Sequence, residues 1–540
     1  MGETIEGHGG DLALAALRAH GVTEMFTLSG GHVFPLYDAA HRAGFPIHDV
    51  RHEQSAVFAA EAVAKLRRRP GLAVLTAGPG VTNGVSGLTS AYFNGSPVLV
   101  IGGRAPAFRW GSGSLQEIDH VPLVAPVTKH AATVTDTADI PGAIGTALTA
   151  AMTPHRGPAF LDLPLEVIFS TAQHAAPSAA PVPVIEPDPD DVARAAALIA
   201  RAQRPVVIAG SDVYAGDAVP ALREAAEALR VPVFTNGMGR GALPPEHPLA
   251  FAKSRRVALA GADVVVVVGT PLDFRLGFGD FGAAQVVHLV DAPRQRAGHV
   301  AAAVSPAGDL RLALSGLADH AGPREDHEPW VETLREAERA AAAKHAEEMA
   351  ADTDPIKPAR VYGELRRVLD RDAVTVGDGG DFVSYAGRYL EPAVPGTWLD
   401  PGPYGCLGTG MGYAMGARLT YPERQVCVLM GDGAAGFSLM DVESLVRQKL
   451  PVVIVLGNNG IWGLEKHPMR AMYGYDVAAD LQPALRYDEV VSALGGAGET
   501  VTRADGLGPA FKRAFEAGVP YLVNVITDPQ DAYPRSSNLA

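Results

Sequence analysis

The stretch Val426-Cys427-Val428-Leu429-Met430-Gly431-Asp432-Gly433-Ala434-Ala435-Gly436 decides how this chain folds. Five apolar residues in a row predict a strand buried on both faces, and the glycine turn leads into a helical segment, Ser438–Gln448. Val452–Leu456 repeats the apolar run, so strand, helix and strand follow one another as in a parallel βαβ unit. Taken literally, Gly431, Gly433 and Gly436 spell the dinucleotide fingerprint. That reading also requires Asp or Glu about 20 residues on, closing the next strand to hold a ribose hydroxyl. Here the next strand closes on Gly457-Asn458-Asn459-Gly460, and the acid has moved into the turn as Asp432. NAD is thereby excluded. Consecutive parallel strands tend to be neighbours, which brings Asp432 and Asn459 to one carboxyl edge. A carboxylate, an amide oxygen and a nearby backbone carbonyl form a half-shell suited to Mg²⁺, which completes its octahedron with water and phosphate oxygens. The glycines let backbone N–H groups approach a diphosphate at the helix start.

Working outward, similar runs recur at helix-length intervals: Leu72–Thr76, Val98–Ile101, Val206–Ala209, Val264–Val268, Val286–Asp291, Val374–Val376 and Tyr521–Ile526. The fold class is therefore α/β, with doubly wound parallel sheets covered on both faces. A length of 540 residues predicts about three domains. Two joints divide them: Ala172–Asp191, with prolines at 177, 181, 183, 187 and 189, and His320–Pro358, which contains an Ala/Glu-rich helix, Trp330–Met349. The expected domains are 1–172, 185–320 and 355–540. With 47% hydrophobic and 19% charged residues the chain is globular, and a net charge of −15 without a basic stripe argues against nucleic acid or an anionic membrane as partner. Cys406 and Cys427 are too few for a disulfide framework, so a reducing, cytoplasmic compartment is expected. No apolar run reaches the roughly 18–20 residues of a membrane helix. The N-terminal residues read neither as a signal peptide nor, with Glu6 at the sixth position, as a myristoylation site.

Gly431-Asp432-Gly433 closing with Asn458-Asn459 resembles the thiamine-diphosphate motif. Arg51-His52-Glu53-Gln54-Ser55-Ala56, between the strand-like Ile47–Val50 and the apolar helix Ala56–Ala64, is similar to the N-terminal signature of the same enzymes. Thr76-Ala77-Gly78-Pro79-Gly80 with Asn83 matches their cofactor-contact loop. The middle of the chain joins in through Arg204–Gly210 and Gly241-Ala242-Leu243-Pro244, and Ser114-Leu115-Gln116-Glu117 resembles the segment of an active-site glutamine. The chain is thus identified as resembling thiamine-diphosphate-dependent enzymes over essentially its whole length. The run from Asn458 to Pro468 brings it closest to actinobacterial acetolactate-synthase-like proteins of the large catalytic subunit type. The resemblance implies pyrimidine-binding, central and diphosphate-binding domains, with active sites between the subunits of a homodimer or homotetramer. It assigns Asp432, Asn459 and the carbonyl of Ile461 to Mg²⁺. It assigns cofactor contacts to Gly78, Pro79, Asn83, Gly380, Leu407, Gly431, Asp432, Gly433, Ala434, Asn459 and Ile461. Glu53, in a largely apolar pocket, becomes the acid that shares a proton with the cofactor's aminopyrimidine. Gln116 becomes the hydrogen-bonding partner of reaction intermediates.

The resemblance implies decarboxylation of a 2-oxo acid such as pyruvate and ligation of the fragment to a second 2-oxo acid. Two departures point to an alternative. Pro164 is followed by Leu165-Glu166 where acetolactate synthases carry Lys, and Leu407 stands where they usually carry a Met wedge. Gly410-Met411-Gly412-Tyr413-Ala414 reads more like oxalyl-CoA decarboxylases and 2-hydroxyacyl-CoA lyases, which makes cleavage of an acyl-CoA substrate the second reading and a non-catalytic homologue the third. Thr270-Pro271-Leu272-Asp273-Phe274-Arg275 loosely matches a flavin-contacting run, so FAD, or the ADP part of coenzyme A, is a candidate for the central domain. Trp462 and Glu465, just past the metal loop, are candidates to face substrate.

Overall fold

Runs of Val, Ile and Leu bounded by glycine and proline become the central strands, and shorter, more polar segments complete the edges. The structure, a computed structural model, describes residues 4–321 and 326–533. The Gly/Pro/charged start of the second expected joint, residues 322–325, lies outside the described residues, as do Met1 and Gly2. The first part of the chain contributes β1 (Thr4–His8), β2 (Met25–Thr27), β3 (Ile47–Asp49), β4 (Gly71–Leu75), β5 (Val98–Arg104), β6 (His130–Thr133), β7 (Ala159–Pro164) and β8 (Thr171–Ala175). The middle contributes β9 (Pro205–Ala209), β10 (Val233–Thr235), β11 (Val264–Val268) and β12 (Gln285–Leu289). The last part contributes β13 (Val374–Asp378), β14 (Trp398–Leu399), β15 (Val426–Gly431), β16 (Val453–Asn458), β17 (Ala497–Val501) and β18 (Tyr521–Ile526).

Three sheets result, in the orders β3-β2-β4-β5-β7-β6, β10-β9-β11-β12 and β14-β13-β15-β16-β18-β17, and every pairing within them is parallel. The α/β reading holds. Adding eleven to each label of the first order gives the third, so the outer sheets share one topology. Among the described residues no helix is long and apolar enough to cross a membrane.

Several boundaries differ from expectation. Thr171–Ala175, at the start of the expected linker, pairs antiparallel with β1, because polar residues alternate there instead of forming an apolar run. The helix expected over Ser438–Gln448 is two shorter helices, Asp432–Ser438 and Val442–Arg447, around a 3₁₀ turn at Leu439–Asp441. β12 stops at Leu289, which leaves Asp291 beyond its carboxyl end.

One contact matters most for the site. Helix Glu53–Arg67 of the first domain lies against helix Thr409–Thr420 of the third. A Cβ at Gly412 would come within 2.7 Å of the Ser55 carbonyl, and one at Gly416 within 2.7 Å of the Ala59 carbonyl, so the backbones touch only because these positions are glycine. Phe58 and Tyr413 pack edge to face at 5.8 Å in the seam, both fully buried, which stabilises it by roughly 2–3 kcal/mol per aromatic ring.

Candidate active site

At the third sheet, β15 and β16 pair with Gly431 opposite Gly457, so Asp432 and Asn459 stand side by side past the strand ends. Asp432 is buried, its Oδ1 accepting the Gly433 N–H at 3.0 Å and its Oδ2 the Gly460 N–H at 2.7 Å. Burial pushes this carboxyl up to about 6 against those two hydrogen bonds, and the nearby Asp381 adds to the rise. Among the described residues no Lys or Arg pairs with it. A buried carboxylate with only backbone N–H partners lacks the counter-charge that a divalent cation supplies. Asn459 turns its Oδ1 toward the Ile461 N–H at 3.2 Å and donates from Nδ2 to Asp381 Oδ2 at 3.1 Å. Ile461 is buried in an antiparallel bridge to Asp480, with the Trp462 N–H bonded to the Ala479 carbonyl at 2.9 Å, so the loop is fixed. Trp462 covers the turn itself: a Cβ at Gly433 would lie 2.5 Å from its ring. That occupies Trp462 in packing, and Glu465 lies exposed in the first turn of helix Gly463–Tyr473. Gly379, at φ +124, lets its backbone approach Gly431, and Gly380 leads into helix Asp381–Tyr389 beneath Leu464. Ala434 is buried in the first turn after Asp432.

Sequence reasoning missed Asp378. This fully buried acid at the end of β13 accepts the N–H groups of Gly408 at 3.0 Å and Gly410 at 2.8 Å, which ties the Leu407 loop to the sheet. Burial pushes its carboxyl up to about 7. An acid closing an apolar strand just before two glycines was the available signal. Leu407 is also held from the first domain, its carbonyl accepting from Gln54 Nε2 at 3.3 Å.

At the first sheet, Glu53 opens helix Glu53–Arg67, with the His52 ring accepting from the Gln54 N–H at 3.1 Å as a cap. Glu53 is 7% exposed, and Asn83 Nδ2 donates to its Oε2 at 3.0 Å. Gly78, at φ +60, precedes Pro79 at the start of helix Pro79–Phe93. A Cβ on Gly78 would lie 2.8 Å from the Gln116 Cβ, so the turn and the glutamine abut. Glu53, Asn83, Gly78, Pro79 and Gln116 thus share the first edge, and Gly431 to Ala434, Asn459, Ile461 and Gly380 share the third. Among the described residues no hydrogen bond or ion pair joins Glu53 to Asp432 or Asn459. Where Lys was absent, Glu166 Oε1 accepts the Ala107 N–H at 2.9 Å.

The central sheet offers a different edge. Asp212 past β9 and Asp291 past β12 converge on His155 of the first domain, whose Nδ1 lies 3.0 Å from Asp291 and 3.8 Å from Asp212. Burial pushes the Asp212 carboxyl up to about 7. Arg275 is engaged by Asp273 two residues away, at 2.7 Å. The His155 ring and the nearby Arg156 and Arg275 guanidinium groups offset the two carboxylates at this edge.

Comparison with known proteins assigns the three parts. Residues 7–123 match the N-terminal TPP binding domain of thiamine pyrophosphate enzymes, 192–317 the central domain, and 378–525 the C-terminal TPP binding domain. The chain is 51% identical over 540 residues to a probable acetolactate synthase of Mycobacterium bovis, covering 99% of this chain and 98% of that one. The same figures relate it to the acetolactate synthase large subunit IlvG of Mycobacterium tuberculosis. It is 34% identical over 542 residues to human 2-hydroxyacyl-CoA lyase 2, covering 92% and 85%.

Proposed function

We propose that this chain, which belongs to the thiamine pyrophosphate enzyme family, decarboxylates a 2-oxo acid and ligates the remaining fragment to a second one, as an acetolactate synthase does. One observation carries the reading: buried Asp432 lacks a counter-charge beside Asn459, in a chain that matches acetolactate synthases from end to end. When bound, thiamine diphosphate supplies an electron sink for the carbon–carbon bond broken and the one made. Asp432, Asn459 and the Ile461 carbonyl would hold Mg²⁺, and the backbone from Gly431 to Ala434 would meet the diphosphate. Glu53 shares a proton with the aminopyrimidine; Asn83 occupies its Oε2 and leaves Oε1 for that contact. Leu407 would support the cofactor's ring system. Gln116, a neutral amide, would orient the acceptor while offering no acidic proton that could quench the nucleophile.

We infer from the family resemblance that the complete site closes between two copies, in a homodimer or homotetramer. The domains are read as 1–172, 185–320 and 355–540. FAD, or the ADP part of coenzyme A, is the candidate occupant of the central edge in this reading. Cys406 and Cys427 are both free, in keeping with a reducing cytoplasm. The lyase reading keeps its support in Gly410–Ala414 and in Leu165 after Pro164. One assay separates the two: protein with thiamine diphosphate and Mg²⁺ receives pyruvate in one vessel and a 2-hydroxyacyl-CoA in another. Acetolactate is the expected product; formyl-CoA without acetolactate overturns the assignment in favour of the lyase.

A further inference from the structure

β5 and β7 pair so that Arg104 stands opposite Pro164, beside the position where the expected Lys is missing. Arg104 Nη1 donates to Asp162 Oδ2 at 2.8 Å and to Asp119 Oδ1 at 3.0 Å, and its guanidinium lies 4.2 Å from the Trp110 ring centroid. Asp162 is 0% exposed, and the same Oδ2 lies 3.1 Å from His120 Nδ1. His120, also 0% exposed, has its Nε2 2.9 Å from the Gly78 backbone nitrogen. A backbone N–H can only donate, so Nε2 is bare and the ring's proton sits on Nδ1, directed at Asp162. His32, the other ring near this relay, bonds Thr76 at 3.3 Å, and burial, with the nearby His120, lowers its pKa. The relay therefore runs from Arg104 through Asp162 and His120 to the N–H of Gly78. It ends on Gln116, which Gly78 abuts and whose own backbone is at φ +61.

We infer that His120 is a positioning residue that holds Gly78 and thereby keeps Gln116 aimed at the second substrate, so that it governs how much of the cleaved 2-oxo acid is ligated. The inference rests on the ligation reading above. Ligation converts two pyruvates and one proton to acetolactate and CO₂. The competing leak converts one pyruvate and one proton to acetaldehyde and CO₂. Displacement of an orienting group by about 1 Å can cost about a hundredfold, so loss of the His120 bond shifts product from ligation to leak.

The test measures acetolactate formed per CO₂ released by the holoenzyme. His120→Gln can still accept from Gly78 and donate to Asp162, and should keep the ratio near that of the unaltered enzyme. His120→Leu lacks both bonds and His120→Asn is too short to span them; both should lower the ratio by about tenfold, with CO₂ release falling less. If Leu fails to fold, the Asn and Gln pair decides. An unchanged ratio in Asn, or a loss in Gln equal to that in Asn, overturns the inference. Hydrogen exchange at the Gly78 amide tests the bond without any substrate. It should quicken by about tenfold or more in Asn and Leu but not in Gln, and equal exchange in all overturns the inference. Failure of the unaltered enzyme to make any acetolactate would instead sink the ligation reading.

Discussion

The turn after β4 in the first sheet carries Gly78 and Pro79 and no acid; the turn after β15, the corresponding strand of the third sheet, carries Asp432 between two glycines. The next strands differ in the same way: β5 ends on Arg104, and β16 ends on Asn458 with Asn459 beyond it. Topology therefore places both edges alike, while side-chain type divides the work. The third edge collects oxygen ligands around an uncompensated acid. The first edge keeps Glu53 beside a neutral amide, Asn83, with no cation bonded to it among the described residues; its proposed role is to share a proton. A cation placed beside Glu53 would fix it as a carboxylate and end that role.

The largest expected effect breaks the third edge. Asp432→Ala should weaken thiamine diphosphate binding in the presence of Mg²⁺ by about a thousandfold, because it deletes the only charged ligand; unchanged calorimetric affinity would refute the assignment. Glu53→Gln should instead leave affinity within several-fold and slow exchange of the bound cofactor's C2 proton by about a hundredfold or more. Exchange at the normal rate would remove Glu53 from its role.

A smaller effect concerns Asp378, which ties the Leu407 loop to the third sheet. Its folded pKa, pushed up to about 7, exceeds the unfolded value, so its contribution to stability is full below about pH 4 and lost as pH rises through about 7. Asp378→Asn should remove that part of the decline in Tm between those limits, and parallel Tm curves for the two proteins would contradict it. The smallest effect is spectroscopic. The central sheet repeats the order of the first four strands of its neighbours, but His155, Asp212 and Asp291 occupy its edge. Flavin absorbance in stoichiometric yield would assign FAD to that edge, and a colourless protein would remove FAD from the candidates.

Legibility followed sequence distance. β15, its turn and β16 lie within one βαβ unit, so the pairing of Asp432 with Asn459 could be read directly. The interior strands β4, β5, β9, β11 and β13 were visible as apolar runs. The edge strands β6, β8 and β17 alternate or are polar, with only Val501 of β17 buried, and gave no such signal. Asp162 and His120 were missed because their partners lie 42 or more positions away, and nothing in a lone His before Val-Pro marks it as an acceptor for a glycine amide. Trp462, a candidate either to face substrate or to fill the core, packs its ring over Gly433.

In the proposed enzyme the third edge of one copy would hold the cofactor and the first edge of another would activate it. Co-expression of Glu53→Gln and Asp432→Ala chains with different tags allows the mixed dimer to be purified. In that dimer one site carries both defects and the other carries neither, so about half the unaltered rate per dimer should return, although each parent is nearly inactive. A mixed dimer no more active than its parents would show that Glu53 and Asp432 serve the same chain, and would contradict the claim.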